Sequence, residues 1–247
     1  MNRYARAGAR QCLACSRPAQ SRCSEGPSAV KRRQTGKTGK AMIALHDETT
    51  GGGILRIIRL NRPEKANALT GEMLDALARA VEEADKASAL ILTGEGRVFS
   101  AGADLDAAAA AGLATSPLWE RLSSAIAAFP GLTIAALNGT LAGGACGMAL
   151  ACDLRIAVPD AKIFYPVMRL GYLPQPSDPA RLAALVGPAR AKLLLMAGAR
   201  VETEEALAWG LIDRIAPPEA LLDTARALCA DVLAACPAHA AAIKRMV

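Results

Sequence analysis

An α/β fold follows from three features of this sequence: short runs of apolar, β-branched residues, helical text between them, and connections only a few residues long. The first run, residues 54–60, carries Ile54, Leu55, Ile57, Ile58 and Leu60 behind a glycine turn at 51–53, and reads as a strand. Thr70 then stands as an N-cap, and Met73, Leu74, Leu77, Ala80, Val81 and Ala84 follow at helical spacing. Residues 89–92 are uniformly apolar and short, which marks a buried strand. Two more strands are expected at 133–137 and 154–158, separated by a glycine-rich turn and a helical run over 145–152. From Asp178 onward the text is helical. Asp178 reads as a cap with Pro179 at the first helical position, followed by helices over 188–197, 203–209 and 217–235.

Composition narrows the class. The chain has 247 residues, 52% of them hydrophobic, enough for one sizeable core. No run approaches the roughly 18 uninterrupted apolar residues of a membrane helix, so a soluble, cytoplasmic protein without a membrane partner is expected. The net charge of +6 is unevenly placed: residues 1–41 hold ten Lys or Arg against one acid, Glu25, and the remainder is mildly acidic. A nucleic-acid surface needs its basic residues on the folded body, so no nucleic acid is expected. Residues 1–41 lack apolar periodicity and read as a disordered basic extension, with the folded domain over 42–247. An Arg-rich transit segment and a start placed upstream of Met42 both fit this extension, and the second is favoured. Within it, Cys12, Cys15 and Cys23 lack a second pair at zinc-finger spacing, and the G-K-T at 36–38 lacks the first glycine of a phosphate-binding loop. No metal is expected. Cys146, Cys152, Cys229 and Cys236 sit in apolar text and read as buried thiols in a reducing compartment.

Two segments carry chemistry beyond packing. Val98-Phe99-Ser100-Ala101-Gly102-Ala103-Asp104-Leu105 and Leu137-Asn138-Gly139-Thr140-Leu141-Ala142-Gly143-Gly144-Ala145-Cys146-Gly147 each place small residues where strand gives way to helix. There a ligand can approach the backbone, and first-turn N–H groups are free to donate to it. Two such groups converging on one point would make an oxyanion hole. Tight turns and close packing would equally require these glycines. A dinucleotide-binding fingerprint is broken, because Ala142 stands where its first glycine belongs.

The run Leu60-Asn61-Arg62-Pro63-Glu64-Lys65-Ala66-Asn67-Ala68-Leu69 joins these two segments and Cys152-Asp153-Leu154-Arg155-Ile156-Ala157 in one order and spacing. Together they resemble the enoyl-CoA hydratase/isomerase (crotonase) family over residues 42–247. The resemblance implies a spiral of ββα turns with C-terminal helices, homotrimers or hexamers, a role in fatty-acid metabolism, and coenzyme A present only as part of an acyl-CoA substrate. It places the oxyanion N–H groups at Ala103 and Gly144, and the substrate tunnel along Lys65, Ala66, Ala101, Gly102, Ala103, Asp104 and Leu105. Lys65 and Asp104 taken singly also read as a solvated charge or a local cap. Asp153, opening a strand, reads as a structural hydrogen-bonding residue. Family members usually continue beyond the helix at 237–244, so the chain is expected to be short at that end.

The departures are sharper than the matches. The family's two glutamates fall on Gly147 and Val167, and a third acid position, used by some members, falls on Gln175. Hydration needs groups that move protons, which glycine and valine cannot do. The remaining candidates are Tyr165 and Asp178 as catalytic groups, with Tyr172 and Gln175 nearby. The tyrosines also read as packing residues, and Asp178 as a helix cap. His46 and His239 lie near opposite ends of the domain, which gives a Ser-His-Asp system poor support. Enolate chemistry without hydration is expected, such as isomerisation or decarboxylation; the rival is a non-catalytic thioester-binding or oligomer-partner protein.

Overall fold

The computed structural model describes residues 41–104, 106 and 112–247. The expectations for residues 1–40, including Cys12, Cys15, Cys23 and the G-K-T, and the one for Leu105 lie outside the described residues.

Strands β1 (Ile43–Thr50) and β2 (Gly53–Leu60) form an antiparallel hairpin. It is closed by Gly51 and Gly52, both at positive φ, a conformation glycine adopts without steric cost. The first of these strands left no apolar run in the sequence because most of its side chains are exposed. Beyond the hairpin the pairing is parallel: β2 with β3 (Ala89–Gly94), β3 with β5 (Leu132–Leu137), and β5 with β7 (Leu154–Ala157). A two-residue strand, β10 (Arg214–Ile215), pairs with β7 at the far edge. β3 is buried along its whole length, which is why it reads as uniformly apolar rather than alternating.

A second sheet contains β4 (Val98–Ser100), β6 (Thr140–Ala142), β8 (Lys162–Phe164) and β9 (Arg200–Glu202) in that order. These strands are two or three ladder bonds long, too short to show a period in the sequence. The chain therefore repeats a module: a strand in the first sheet, a short strand in the second, then a helix. β3 and β4 precede α2 (Leu118–Ala128), β5 and β6 precede α3 (Cys146–Leu150), and β7 and β8 precede α4 (Val167–Leu170). This is the ββα spiral that the resemblance implies.

α1 (Gly71–Glu82) connects β2 to β3 and buries Met73, Leu74, Leu77, Ala78 and Val81. Each large apolar side chain so buried stabilises the fold by about 1.5–3 kcal/mol. The Thr70 hydroxyl accepts the Met73 N–H at 3.2 Å, as its position as a cap requires.

The C-terminal helices are α5 (Asp178–Leu195), α6 (Thr203–Trp209), α7 (Leu221–Ala234) and α8 (Pro237–Lys244). α5 is broken at Gly187 (φ 79°), where Pro188 begins a new segment, so the two helices expected over 178–197 are both present. One expectation here is overturned: Ser177 is the residue before the first turn, and Asp178 lies inside the helix with its carboxylate fully buried and not capping. Its side chain is drawn inward to a tyrosine hydroxyl instead. Cys146, Cys152 and Cys229 are buried free thiols, while Cys236 is only half-buried. Among the described residues no single helix is long and apolar enough to cross a membrane, and no three His, Cys, Asp or Glu side chains group so as to hold a metal ion.

Candidate active site

The two small-residue segments meet at the ends of β4 and β6. On the β4 side, Asn67 is fully buried and ties the loop after β2 to the β3–β4 turn. Its amide donates to Glu95 O (2.9 Å) and Val98 O (2.7 Å), and its Oδ1 accepts the Arg62 N–H (2.9 Å). Ser100 adds a bond from its hydroxyl to Asn67 O at 2.8 Å. The backbone then pairs: Ala101 N–H donates to Ala66 O, Leu69 N–H to Gly102 O, and Asp104 N–H to Leu69 O. In a parallel bridge of this kind between Leu69 and Ala103, the N–H of Ala103 itself points away from the ladder.

On the β6 side the chain leaves Ala142 into a single 3-10 turn, Gly143–Ala145, that runs into α3. The Gly144 N–H is therefore a first-turn group with no intrahelical acceptor. Gly102 lets the two segments touch: a Cβ there would lie 2.8 Å from Ala142 O. The indole of Trp119 packs over Gly144, about 3.2 Å from where a Cβ would stand, and its N–H donates to Leu113 O at 2.7 Å.

A cavity of about 470 Å³ opens between these segments and α4. Of the residues singled out from the sequence, it brings together Ala66, Ala101, Ala103, Gly144, Tyr165, Val167, Tyr172 and Gln175. Lys65, Gly102, Asp104, Gly147 and Asp178 do not line it. Lys65 is exposed on the loop, 3.8 Å from Asp106. Asp104 is buried, and its carboxylate accepts from Arg62 at 2.5 Å and from the Asp106 N–H at 3.0 Å, so it organises the segment from behind the wall. Among the described residues no carboxylate lines the cavity.

A polar cluster starts at Tyr165 and Gln175 on the cavity lining and runs back into the wall to Asp178. The Tyr165 hydroxyl donates to Asp178 Oδ2 at 2.9 Å, and the Gln175 N–H stands 3.5 Å from that hydroxyl. Asp178 has no exposed surface, and its Oδ1 accepts no hydrogen bond. Burial raises the Asp178 carboxyl to about 6, with Glu120 adding to the rise and the Tyr165 bond and Arg181 opposing it. Burial, and then the negative charge of Asp178, push the Tyr165 hydroxyl above its ordinary range. Glu120 accepts the N–H and hydroxyl of Ser177, and this holds its carboxyl low despite burial. The carboxylate of Asp178 fills the space beside Gly147: a Cβ at Gly147 would stand 2.8 Å from Oδ1 and 3.0 Å from Oδ2.

Trp119 and the helix that carries it escaped the sequence reading. Their signal was present, since Leu118, Trp119, Leu122, Ala125 and Ile126 recur at helical spacing. Asp153 holds the structural place expected of it. It accepts Thr133 N–H (2.8 Å), the Thr133 hydroxyl (2.9 Å) and Lys244 Nζ (2.8 Å), and does not line the cavity.

The sequence profile described as Enoyl-CoA hydratase/isomerase matches residues 49–247. A Thermus thermophilus relative, provisionally named an enoyl-CoA hydratase, is 38% identical over 190 residues, covering 73% of this chain and 75% of its own. Among solved structures, the enoyl-CoA hydratase of Bacillus anthracis superposes with a TM-score of 0.76 at 28% identity, covering 83% of this chain and 81% of its own. Pseudomonas aeruginosa DspI superposes at 0.75 with 30% identity, covering 85% and 87%.

Proposed function

Because the chain belongs to the enoyl-CoA hydratase/isomerase family, we propose that its cavity receives the acyl end of a coenzyme A thioester and stabilises an enolate there, for isomerisation, decarboxylation or another lyase reaction rather than hydration. In this reading the N–H groups of Ala103 and Gly144 donate to the thioester oxygen. They bind it more strongly as negative charge develops, which lowers the barrier to forming the enolate. Both residues line the cavity, both lie where the backbone leaves its N–H uncommitted, and apolar neighbours such as Trp119 keep the local dielectric low. Assembly into homotrimers or hexamers belongs to the same reading, and sedimentation velocity tests it.

The observation that carries the reading is the absence of a carboxylate from the described cavity lining, with Gly147 and Val167 standing where the resemblance puts the two glutamates. Adding water across a double bond needs one group to activate the water and one to protonate the carbon. Each positioned acid or base is worth roughly 100- to 10,000-fold, so losing both leaves hydration near background even with the thioester polarised. Crotonyl-CoA should therefore bind without measurable conversion to 3-hydroxybutyryl-CoA. Robust hydration by protein free of contaminating hydratase would refute the reading. Mass spectrometry across a panel of acyl-CoA thioesters identifies the reaction that does occur.

A further inference from the structure

Five features meet at one wall of the cavity: a tyrosine on the lining, a carboxylate bonded to its hydroxyl, a second carboxylate oxygen without a partner, complete burial of that carboxylate, and a glycine that leaves room for it. A buried unpartnered carboxylate oxygen costs stability, so a fold that retains one calls for an explanation. Asp178 does not cap its helix and forms no salt bridge among the described residues, although the charge of Arg181, whose own Nη1 is buried without a partner, acts on its carboxyl. Gly147 ties the arrangement to the site. A Cβ at position 147 would press on the carboxylate oxygens, so any larger residue there would force the Asp178 side chain out of its present position.

We infer that Tyr165 is the proton-transferring residue of this cavity and that Asp178, occupying the space a side chain at position 147 would need, is the positioning residue that holds and exchanges protons with it. The inference rests on the thioester reading above and names the group that reading leaves open. With Asp178 ionised, the Tyr165 oxygen takes a proton from the carbon next to the thioester as its own hydroxyl proton passes to Asp178 Oδ2. The C–H electron pair moves into the carbon framework, and charge collects on the thioester oxygen held by Ala103 and Gly144. For a 3-enoyl thioester the step reverses at the far end of the system. Tyr165 gives the substrate's proton to carbon 4, Asp178 returns the stored proton to the Tyr165 oxygen, and the double bond ends between carbons 2 and 3. Nothing is consumed and the pair is restored. A carboxylate sealed from solvent suits such a shift, because the same protons go out and back.

The titration of Asp178 falls in the working range. Asp178 faces Tyr165 after β8, Cys146 on α3, Glu120 on α2 and Arg181 on its own helix; burial, opposed by the Tyr165 bond and Arg181 and aided by Glu120, raises it to about 6. Ionised Asp178 is the form that accepts the proton, so turnover should rise with pH through that region and then level.

The test uses the full chain with trans-3-hexenoyl-CoA and butyryl-CoA in D2O, reading the double-bond shift and exchange of the α-hydrogens by mass spectrometry, and binding by calorimetry. The expected result is a shift in which most transferred hydrogen comes from the substrate. Tyr165→Phe should lower kcat by about 100-fold or more with binding unchanged. Asp178→Asn should lower kcat with KM retained and flatten the pH profile near 6, which loss of packing alone would not do. Should Asp178→Asn fail to fold, Tyr165→Phe decides alone. Failure of both thioesters to bind overturns the thioester reading and this inference with it. Binding without shift or exchange, or variants as active as the parent, overturns the Tyr165–Asp178 assignment while the thioester reading stands.

Discussion

At the scale of single residues, the site turns on an exchange between positions 147 and 178. A glycine in the second position of α3 looks like a loss of function when the chain is read in one dimension. In three dimensions it leaves room for the carboxylate that α5 places there, with Oδ1 at 2.8 Å from the would-be Cβ. A glutamate restored at 147 would meet Asp178 and bring two carboxylates together in a buried site, so it is not expected to recover hydration. The raised Asp178 carboxyl also has a consequence for stability. Its folded value of about 6 lies above the ordinary carboxyl value of 3.8, so its neutral form is favoured by folding. The associated stability is full below about 4 and is lost as pH rises to about 6. Asp178→Asn removes that penalty and should raise the stability of the protein by on the order of 2 kcal/mol at pH 8, with the gain shrinking toward pH 4. Urea unfolding at several pH values checks this; a gain independent of pH would show that the carboxylate is not the cause.

At the scale of elements, the site is held by connections that cross between modules. The Asn67 amide joins the loop after β2 to the end of β3 and the start of β4, and Asp153 joins β5, β7 and the last helix at one point through Thr133 and Lys244. Lys244 also donates to Gly131 O at 3.0 Å, so α8 is fastened at the start of β5. Replacing Asp153 by Ala strands the Thr133 N–H and takes from the Lys244 ammonium its paired charge, and should destabilise the protein by about 1–3 kcal/mol. The cavity lining is untouched, so thioester binding at low temperature should survive the change. Thermal unfolding and calorimetry on one preparation measure both. α2 belongs to this scale as well. It places Trp119 over Gly144 and Glu120 on Ser177, joining the Gly143–Ala145 turn to the start of α5.

At the scale of the whole molecule, the spiral brings residues 66, 103, 119, 144, 165 and 175 to one cavity. Residues 1–41 add nothing to that assembly in the reading from composition. A chain beginning at Met42 should therefore match the full chain in melting temperature and in acyl-CoA affinity; a clear fall in either would show that the segment participates. Much of the architecture was legible in one dimension because burial leaves a local record. β3 is apolar throughout, α1 carries its buried face at helical spacing behind the Thr70 cap, and Gly187-Pro188 marks the break in α5. The segments around Ala103 and Gly144 were legible for a similar reason, since a backbone that must approach a ligand or another backbone excludes side-chain bulk. The short strands β4, β6 and β8 left no such record, their two or three ladder bonds being set by neighbours far along the chain. By itself, then, the sequence determined the α/β class, the family likeness, the small-residue backbone of the site and the emptiness of positions 147 and 167. Only the tertiary structure decided that Asp178 is no cap, that its carboxylate lies against Gly147 and Tyr165, and that Trp119 covers Gly144. Those contacts join residues 13 to 31 positions apart, and nothing in their local spacing encodes which side chain a folded neighbour will meet.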